Sequence, residues 1–308
     1  MTQTPYRPAP AADFMLSFDL ANAGVRGRLV RLSGVSARAL SAHALPDAAN
    51  RTLGETLALS ALLGSSLKLD GRLTVQTQSD GPLDLVAADY YGAEPGVRAA
   101  GVRAYARLDR ARFDALNGSM PDFAQQAGRG ALAITIEPRR DGKTYQGIVM
   151  LEPSGIAQSA ENYFAQSEQL ATRIRLAAVP VLEPGRPVHW RAAGLLLQAI
   201  PEKRQTEDDW LRLGMILDTL EDFELINVEL SAESLLWRLF NEDEVRVHPS
   251  ESIEFRCDCQ TERIISVLRA YESGERDGLA DADGIIRAKC EFCARVHEVH
   301  PPDLQDLN

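Results

Sequence analysis

Gly71-Arg-Leu-Thr-Val-Gln-Thr-Gln78 alternates apolar and polar side chains and runs into Ser79-Asp-Gly-Pro82, a strand ending in a turn. Alternation of period two gives a strand with one buried and one wetter face. Leu83 to Ala88 then reads as its hairpin partner. A second hairpin is expected from Ala131 to Glu137 and Thr144 to Leu151, which flank Arg139-Arg-Asp-Gly-Lys143; the Asp141-Gly142 pair favours a tight reversal. Helical stretches lie between these strands. Thr52-Leu-Gly-Glu55 has capping-box spacing ahead of Leu57, Leu59, Leu62 and Leu63, so a helix is predicted to begin there and run to about Ser66. Ile156 to Leu170 reads as another, burying Ile156, Ala160, Tyr163, Phe164 and Ala165. The fold class is therefore α+β, with a mixed sheet-and-helix core over residues 1-200.

Past Pro201 the composition changes. Thr206-Glu-Asp-Asp209 sets a helix N-terminus, followed at helical spacing by Trp210, Leu213, Leu217 and Leu220; a second segment carries Leu235, Leu236, Leu239 and Phe240. Both are amphipathic with acidic polar sides, and residues 201-250 read as a helical linker. Of the net charge of -11, residues 1-200 contribute +3 and residues 201-308 contribute -14. The acidic part either docks on the slightly basic core or stays solvated. The overall sign argues against nucleic acid as a general partner, because phosphate binding is dominated by Lys and Arg.

No apolar stretch approaches the ~20 residues of a membrane helix. Residues 1 to 15 have one Arg and no apolar run, so they are expected to be an unordered start and not a secretory signal. A cytoplasmic protein is expected. In a reducing compartment clustered cysteines are more often metal-binding or redox-sensing than a fixed disulfide framework.

The four cysteines of the chain are Cys257, Cys259, Cys290 and Cys293: C-x-C, thirty residues, then C-x-x-C. This matches a four-cysteine zinc site closing a small C-terminal domain over residues 251-308, with an iron-sulfur cluster as the alternative for soft thiolates. Cys293 and His297 have C-x3-H spacing, so three thiolates and one imidazole is a further option. Four thiols make the His redundant, and His297 and His300 are read as surface residues. His297-Glu-Val-His300 is one residue too short for the zinc-protease helix motif, and neither a Walker loop nor a G-x-S-x-G elbow occurs. The metal either folds a knuckle or serves as a switch: oxidation among the cysteines has only this site to act on, and zinc keeps the thiols in the thiolate form that oxidants attack.

With those residues in hand the chain resembles, over nearly its whole length, the redox-regulated 33-kDa heat-shock chaperone family of bacteria. The matching stretches are Gly71 to Pro82, Tyr145-Gln-Gly-Ile-Val149, Tyr163-Phe-Ala-Gln-Ser-Glu-Gln-Leu170, Leu235-Leu-Trp-Arg-Leu-Phe240, Phe255-Arg-Cys-Asp-Cys259 and Cys290-Glu-Phe-Cys293. The resemblance implies an ATP-independent holdase and not an enzyme, held inactive by one zinc ion on the four reduced cysteines. It implies that oxidation forms the Cys257-Cys259 and Cys290-Cys293 disulfides and releases zinc. The zinc domain and linker would then unfold, capture unfolding client proteins under oxidative and heat stress, and pass from monomer to homodimer. Two departures stand out. Val102-Arg-Ala-Tyr-Ala106 lacks the Gly that family members usually carry there, with Ala99-Ala-Gly101 resembling an insertion, and Ala171 stands where Pro is common. A thiol-disulfide oxidoreductase using Cys290 and Cys293, and a nucleic-acid-binding protein with a constitutive zinc knuckle, are the competing classes.

Overall fold

A computed structural model describes residues 13–67, 69–116, 120–139, 142–185, 187–201, 203 and 206–304. They form two compact units, Met1–Phe255 and Arg256–Asn308 in overall bounds.

The strands of the first unit are β1 Phe14–Leu20, β2 Val25–Leu32, β3 Gly71–Ser79, β4 Leu85–Tyr91, β5 Ala100–Arg107, β6 Gly130–Pro138, β7 Tyr145–Met150, β8 Thr172–Val181, β9 His189–Ala199, β10 Val245–Val247 and β11 Glu251–Phe255. Its helices are α1 Gly34–Ser41, α2 Asp47–Ser66, α3 Arg110–Asp114, α4 Phe123–Ala127, α5 Ile156–Tyr163, α6 Glu207–Asp218, α7 Asp222–Ile226 and α8 Ala232–Phe240. The sheet order is β7-β6-β3-β4-β5-β11-β1-β2-β9-β8, with β10 also pairing β1. The mixed sheet-and-helix class read from the sequence is the class observed.

The alternation of Gly71 to Gln78 is realised strictly, odd-numbered residues buried and even ones wetter. Gln78 pairs with Leu85 across the first reversal, so β4 starts two residues later than the sequence predicts. The delay has a cause: Leu83 N–H donates to the Gln126 carbonyl and Ser79 N–H to that of Asp84, which holds residues 80–84 as a loop. β6 and β7 form the second hairpin, Ile136 opposite Tyr145; Asp141 of the anticipated reversal lies outside the described residues, as do residues 1–12.

Three helical expectations change. α2 starts at Asp47 after Pro46, not at Thr52. Thr52 is buried within the helix, its hydroxyl donating back to the Ala48 carbonyl at 3.4 Å and lying 3.3 Å from Gln126 Oε1. The helix begun at Ile156 keeps α-geometry only to Tyr163 and widens into a π turn over Phe164–Glu168, closed by Gln169 in the left-handed region at φ 54. That widening turns Ala165 to solvent while Ile156, Ala160 and Tyr163 stay buried. Ala100 and Gly101, of the stretch that resembled an insertion, begin β5 and pair in parallel with Ile253 and Glu254 of β11. Arg98 adds an ion pair to Glu254 at 2.6 Å.

Residues 206–247 are docked. The sheet buries residues on both faces. Met15, Val30, Leu32, Leu176 and Leu196 pack with α2 on one side, whereas Leu16, Phe18, Leu29, Leu195 and Leu197 pack on the other with Leu213, Leu217, Leu220, Leu235, Leu236 and Phe240 of the acidic segment. Thr206 caps α6 as its sequence requires, its hydroxyl accepting from Asp209 N–H while the Asp209 carboxylate accepts from Thr206. Charge reinforces the apolar contact: Asp222 at the start of α7 takes Arg175 at 2.8 Å and Arg51 at 3.8 Å. Phe18 stacks on Phe240 with ring centroids 6.1 Å apart, and its ring lies over Gly27, where an added Cβ would sit 2.0 Å from it.

The second unit contains α9 Thr261–Arg269, α10 Ser273–Asp277 and the antiparallel pair β12 Ile286–Lys289 and β13 Val296–Val299. Its apolar core is small: Leu268, Ile286 and Val299 are buried, with Ile264, Ile265, Ala280 and Leu304 partly so. Among the described residues no helix is long and apolar enough to cross a membrane.

Candidate metal centre

The β12–β13 hairpin and the chain entering α9 build the site. Cys290 follows β12 directly; its N–H donates to the Arg295 carbonyl at 2.8 Å, and Ala294 N–H returns to the Cys290 carbonyl at 2.9 Å. Ala294 is in the left-handed region at φ 57, which tightens the turn carrying Cys293. Cys257 and Cys259 sit on the segment ahead of α9, where Arg256 is tied to Asp258 at 3.1 Å.

The turn and the segment bring all four thiols together. The four sulfurs lie within 4.8 Å of one another, each cysteine half-buried and none in a disulfide. Cys257 Sγ is 3.7 Å from Cys290 Sγ, and Cys259 Sγ is 3.6 Å from Cys293 Sγ. Tetrahedral ligation at ~2.3 Å per Zn–S bond puts sulfurs ~3.8 Å apart, so donor type and spacing both fit a four-coordinate soft cation. The four cysteines can bind a metal ion.

Electrostatics point the same way. Burial, then the neighbouring thiols, push Cys259 up to about 12, and burial raises Cys257. Cys293 goes down despite burial, because the Arg295 N–H and the surrounding thiols stabilise its thiolate. Four thiolates cannot coexist in this space unaided; a divalent cation removes that conflict by displacing their protons.

His297 corrects a sequence expectation. It is not a surface residue but 5% exposed, with Nε2 3.3 Å from Cys259 Sγ and Nδ1 2.9 Å from Thr261 Oγ1. His300 is exposed as expected. The signal for His297 was available: in β13 it shares a face with Val299, two residues on, and Val299 is fully buried.

Comparison with known proteins agrees with this arrangement. The family described as Hsp33 protein matches residues 13–300. The chain is 37% identical over 295 residues to the 33 kDa chaperonin of Caulobacter vibrioides, covering 94% of this chain and 95% of that one. It is 33% identical over 301 residues to the 33 kDa chaperonin of Escherichia coli, covering 97% and 96%. The crystal structure of the 33 kDa chaperonin of Thermotoga maritima shares the fold with a TM-score of 0.76 at 22% identity, over 95% of this chain and 96% of that one. The match is continuous from β1 to the residue after β13, so both units and the cysteine cluster fall inside it, and the chain belongs to the Hsp33 family.

Proposed function

We propose that this chain is a redox-regulated, ATP-independent holdase of the cytoplasm, kept inactive by one zinc ion on Cys257, Cys259, Cys290 and Cys293. The observation that carries the reading is the convergence of every sulfhydryl of the chain on one site in a unit whose buried apolar residues, among those described, are Leu268, Ile286 and Val299. Zinc, when bound, holds the four sulfurs as thiolates and ties the segment before α9 to the β12–β13 hairpin, an anchor worth on the order of 10 kcal/mol in small zinc-folded units.

The chain's own residues do the rest. Under an oxidant such as a peroxide, the thiolates of Cys257 and Cys259 give up two electrons to form one disulfide, and those of Cys290 and Cys293 give up two more to form the second. Four electrons pass to two peroxide molecules, whose O–O bonds break. A sulfur in a disulfide is a poor ligand, so Cys257, Cys259, Cys290 and Cys293 would no longer hold the ion. The unit then lacks the apolar core to stay folded.

Its unfolding frees the chain that follows β11, the strand whose Ile253, Glu254 and Phe255 pair with β5. Residues 201-250 act in this reading as the linker that detaches from the sheet, exposing the leucines of α6 and α8 and the surface beneath them. Unfolded or oxidatively damaged proteins are the clients of that surface, and it also drives the change from monomer to homodimer. In this reading residues 1-200 act as the chaperone core and 251-308 as the switch stretch, whose four cysteines all follow β11.

The test treats zinc-loaded, reduced protein with peroxide at mildly elevated temperature. Release of one zinc per chain is expected together with suppression of aggregation of an unfolding client, reversed by dithiothreitol. Oxidised protein that protects no client would overturn the reading.

A further inference from the structure

The cleft beside Cys259 contains an assembled hydrogen-bond chain that zinc ligation does not account for. His297, buried on β13, places Nε2 3.3 Å from Cys259 Sγ and Nδ1 2.9 Å from Thr261 Oγ1 on the first turn of α9. Among the described residues the group of possible metal ligands comprises the four sulfurs and no imidazole nitrogen. An open cleft of about 530 Å³ runs along this chain, lined by Cys259, Thr261, Glu262, Arg295, His297 and Glu298. Cys259 is therefore the thiol whose immediate polar neighbour is a buried imidazole, at a place that a molecule the size of a peroxide can reach.

We propose that His297 is a positioning residue for Cys259: its Nε2–H donates to the Cys259 thiolate, and the Thr261 hydroxyl, donating to Nδ1, fixes the tautomer that can do so. The inference rests on the zinc-switch reading and adds to it a residue that sets how firmly one ligand is held and how readily it reacts. The donated hydrogen bond draws electron density from the sulfur. A thiolate so engaged is a better-fixed ligand and a weaker nucleophile. Attack of the Cys259 thiolate on a peroxide breaks the O–O bond, leaving a sulfenic acid and releasing hydroxide. Attack by the Cys257 thiolate on that sulfur forms the S–S bond and releases the second hydroxide, so two electrons pass from two thiolates to one peroxide. His297 slows the first of these steps by occupying the sulfur lone pair that faces the cleft, and so raises the oxidant dose at which the switch opens.

The experiment uses the full chain. In protein loaded with cadmium-113, a scalar coupling between the metal and the Hε2 proton of His297 reports the N–H···S bond directly, and nitrogen-15 shifts report the tautomer. Coupling and an Nε2–H tautomer are expected; an Nδ1–H tautomer overturns the assignment. His297→Phe should lower zinc affinity roughly tenfold or more, as loss of an outer hydrogen bond to a ligand does at other metal sites. It should also speed zinc release by peroxide, with the oxidised product mapped to Cys259 by mass spectrometry. His297→Gln, which retains a donor, should restore much of both. If His297→Phe fails to fold, Thr261→Val, which keeps the imidazole but frees its tautomer, should weaken the coupling and speed release, and unchanged release in Thr261→Val then overturns the proposal. Wild-type zinc release alongside an unchanged rate in folded His297→Phe sinks this inference alone. Wild-type protein that holds no zinc sinks the switch reading itself, and this assignment with it.

Discussion

Arg31 Nε donates to the carbonyl of Leu225 at 2.8 Å, joining the second strand to the last turn of α7, 194 residues later. The same guanidinium donates to the carbonyls of Leu230 and, at 3.3 Å, Glu224, so one side chain satisfies the backbone where α7 ends and the following loop turns. Burial draws Arg31 down to about 10, which leaves it charged at neutral pH. Arg31→Met would keep the apolar stem and orphan at least two carbonyls, each a loss of about 1–3 kcal/mol. Amide hydrogens of residues 222–235 should then exchange faster in reduced protein, and client protection should develop without oxidation. Arg31→Lys should not restore the wild type, since one ammonium cannot serve three acceptors in a planar fork. Unchanged exchange in Arg31→Met would remove Arg31 as a latch.

Phe240 is the apolar counterpart of that latch. Its ring is fully buried against Phe18, whereas Trp237, one turn earlier in α8, is 66% exposed. Phe240→Ala should cost about 3–5 kcal/mol, and Trp237→Ala no more than about 0.5 kcal/mol. Urea denaturation of the reduced protein measures both. Equal costs would mean that α8 is not held by the face that the structure buries.

The Glu55 carboxyl of α2 is desolvated beside Arg51, Asp222 and Arg175, and burial, opposed by Arg51 and reinforced by Asp222, lifts it from 4.5 to about 7. The sign follows from where the proton is held more tightly. The folded chain keeps the neutral acid up to about pH 7, whereas the unfolded chain ionises near 4.5. The stability from this site is thus complete below 4.5, declines between 4.5 and 7, and is gone above 7, a span worth at most about 3 kcal/mol. Glu55→Gln cannot ionise, so it should match the wild type near pH 4.5 and exceed it at pH 8. Denaturation midpoints at the two pH values check this; a gap that does not widen with pH would show that Glu55 is hydrated in the fold.

What the sequence made legible was local. Alternation over Gly71 to Gln78 and the Thr206–Asp209 box each carry their signal within a few residues, and each is found as read; the cysteine pairs are equally local, and the fold brings their four sulfurs within 4.8 Å of one another. The parallel pairing of Ile253 with Ala100 joins segments 153 residues apart and leaves no periodic trace in either, so β11 was read as part of the zinc domain's stretch. Thr52 misled because its capping-box spacing also suits an interior Thr bonded back to Ala48, while Pro46 and Asp47 mark the true start. Arg31 was missed, and His297 was read as a surface residue, for a shared reason. Each is a polar residue on a buried strand face, and only the partner brought by tertiary packing, the carbonyl of Leu225 or the sulfur of Cys259, makes that position tolerable.

Metal removal should separate the two units' stabilities. With Leu268, Ile286 and Val299 as its buried core, the second unit cannot offset the entropy of ordering some fifty residues without an added constraint. The thiols must lose their protons to bind a cation, and burial holds Cys257 and Cys259 in favour of the proton. Zinc affinity should therefore fall as pH falls, because each proton competes for a ligand position. A chelator with a reductant at pH 6 should strip the metal more readily than at pH 8. Cys290→Ser, which takes one sulfur from the site and changes no residue paired in the β12–β13 ladder, should bind zinc far more weakly at either pH. In both cases the amide resonances of Ile286–Lys289 and Val296–Val299 should collapse toward unfolded positions, while those of β3 and β6 persist. Dispersed resonances for β12 and β13 in fully stripped protein would show that this small core suffices by itself, and the cysteines would then have to act on the linker by some means other than holding their own unit folded.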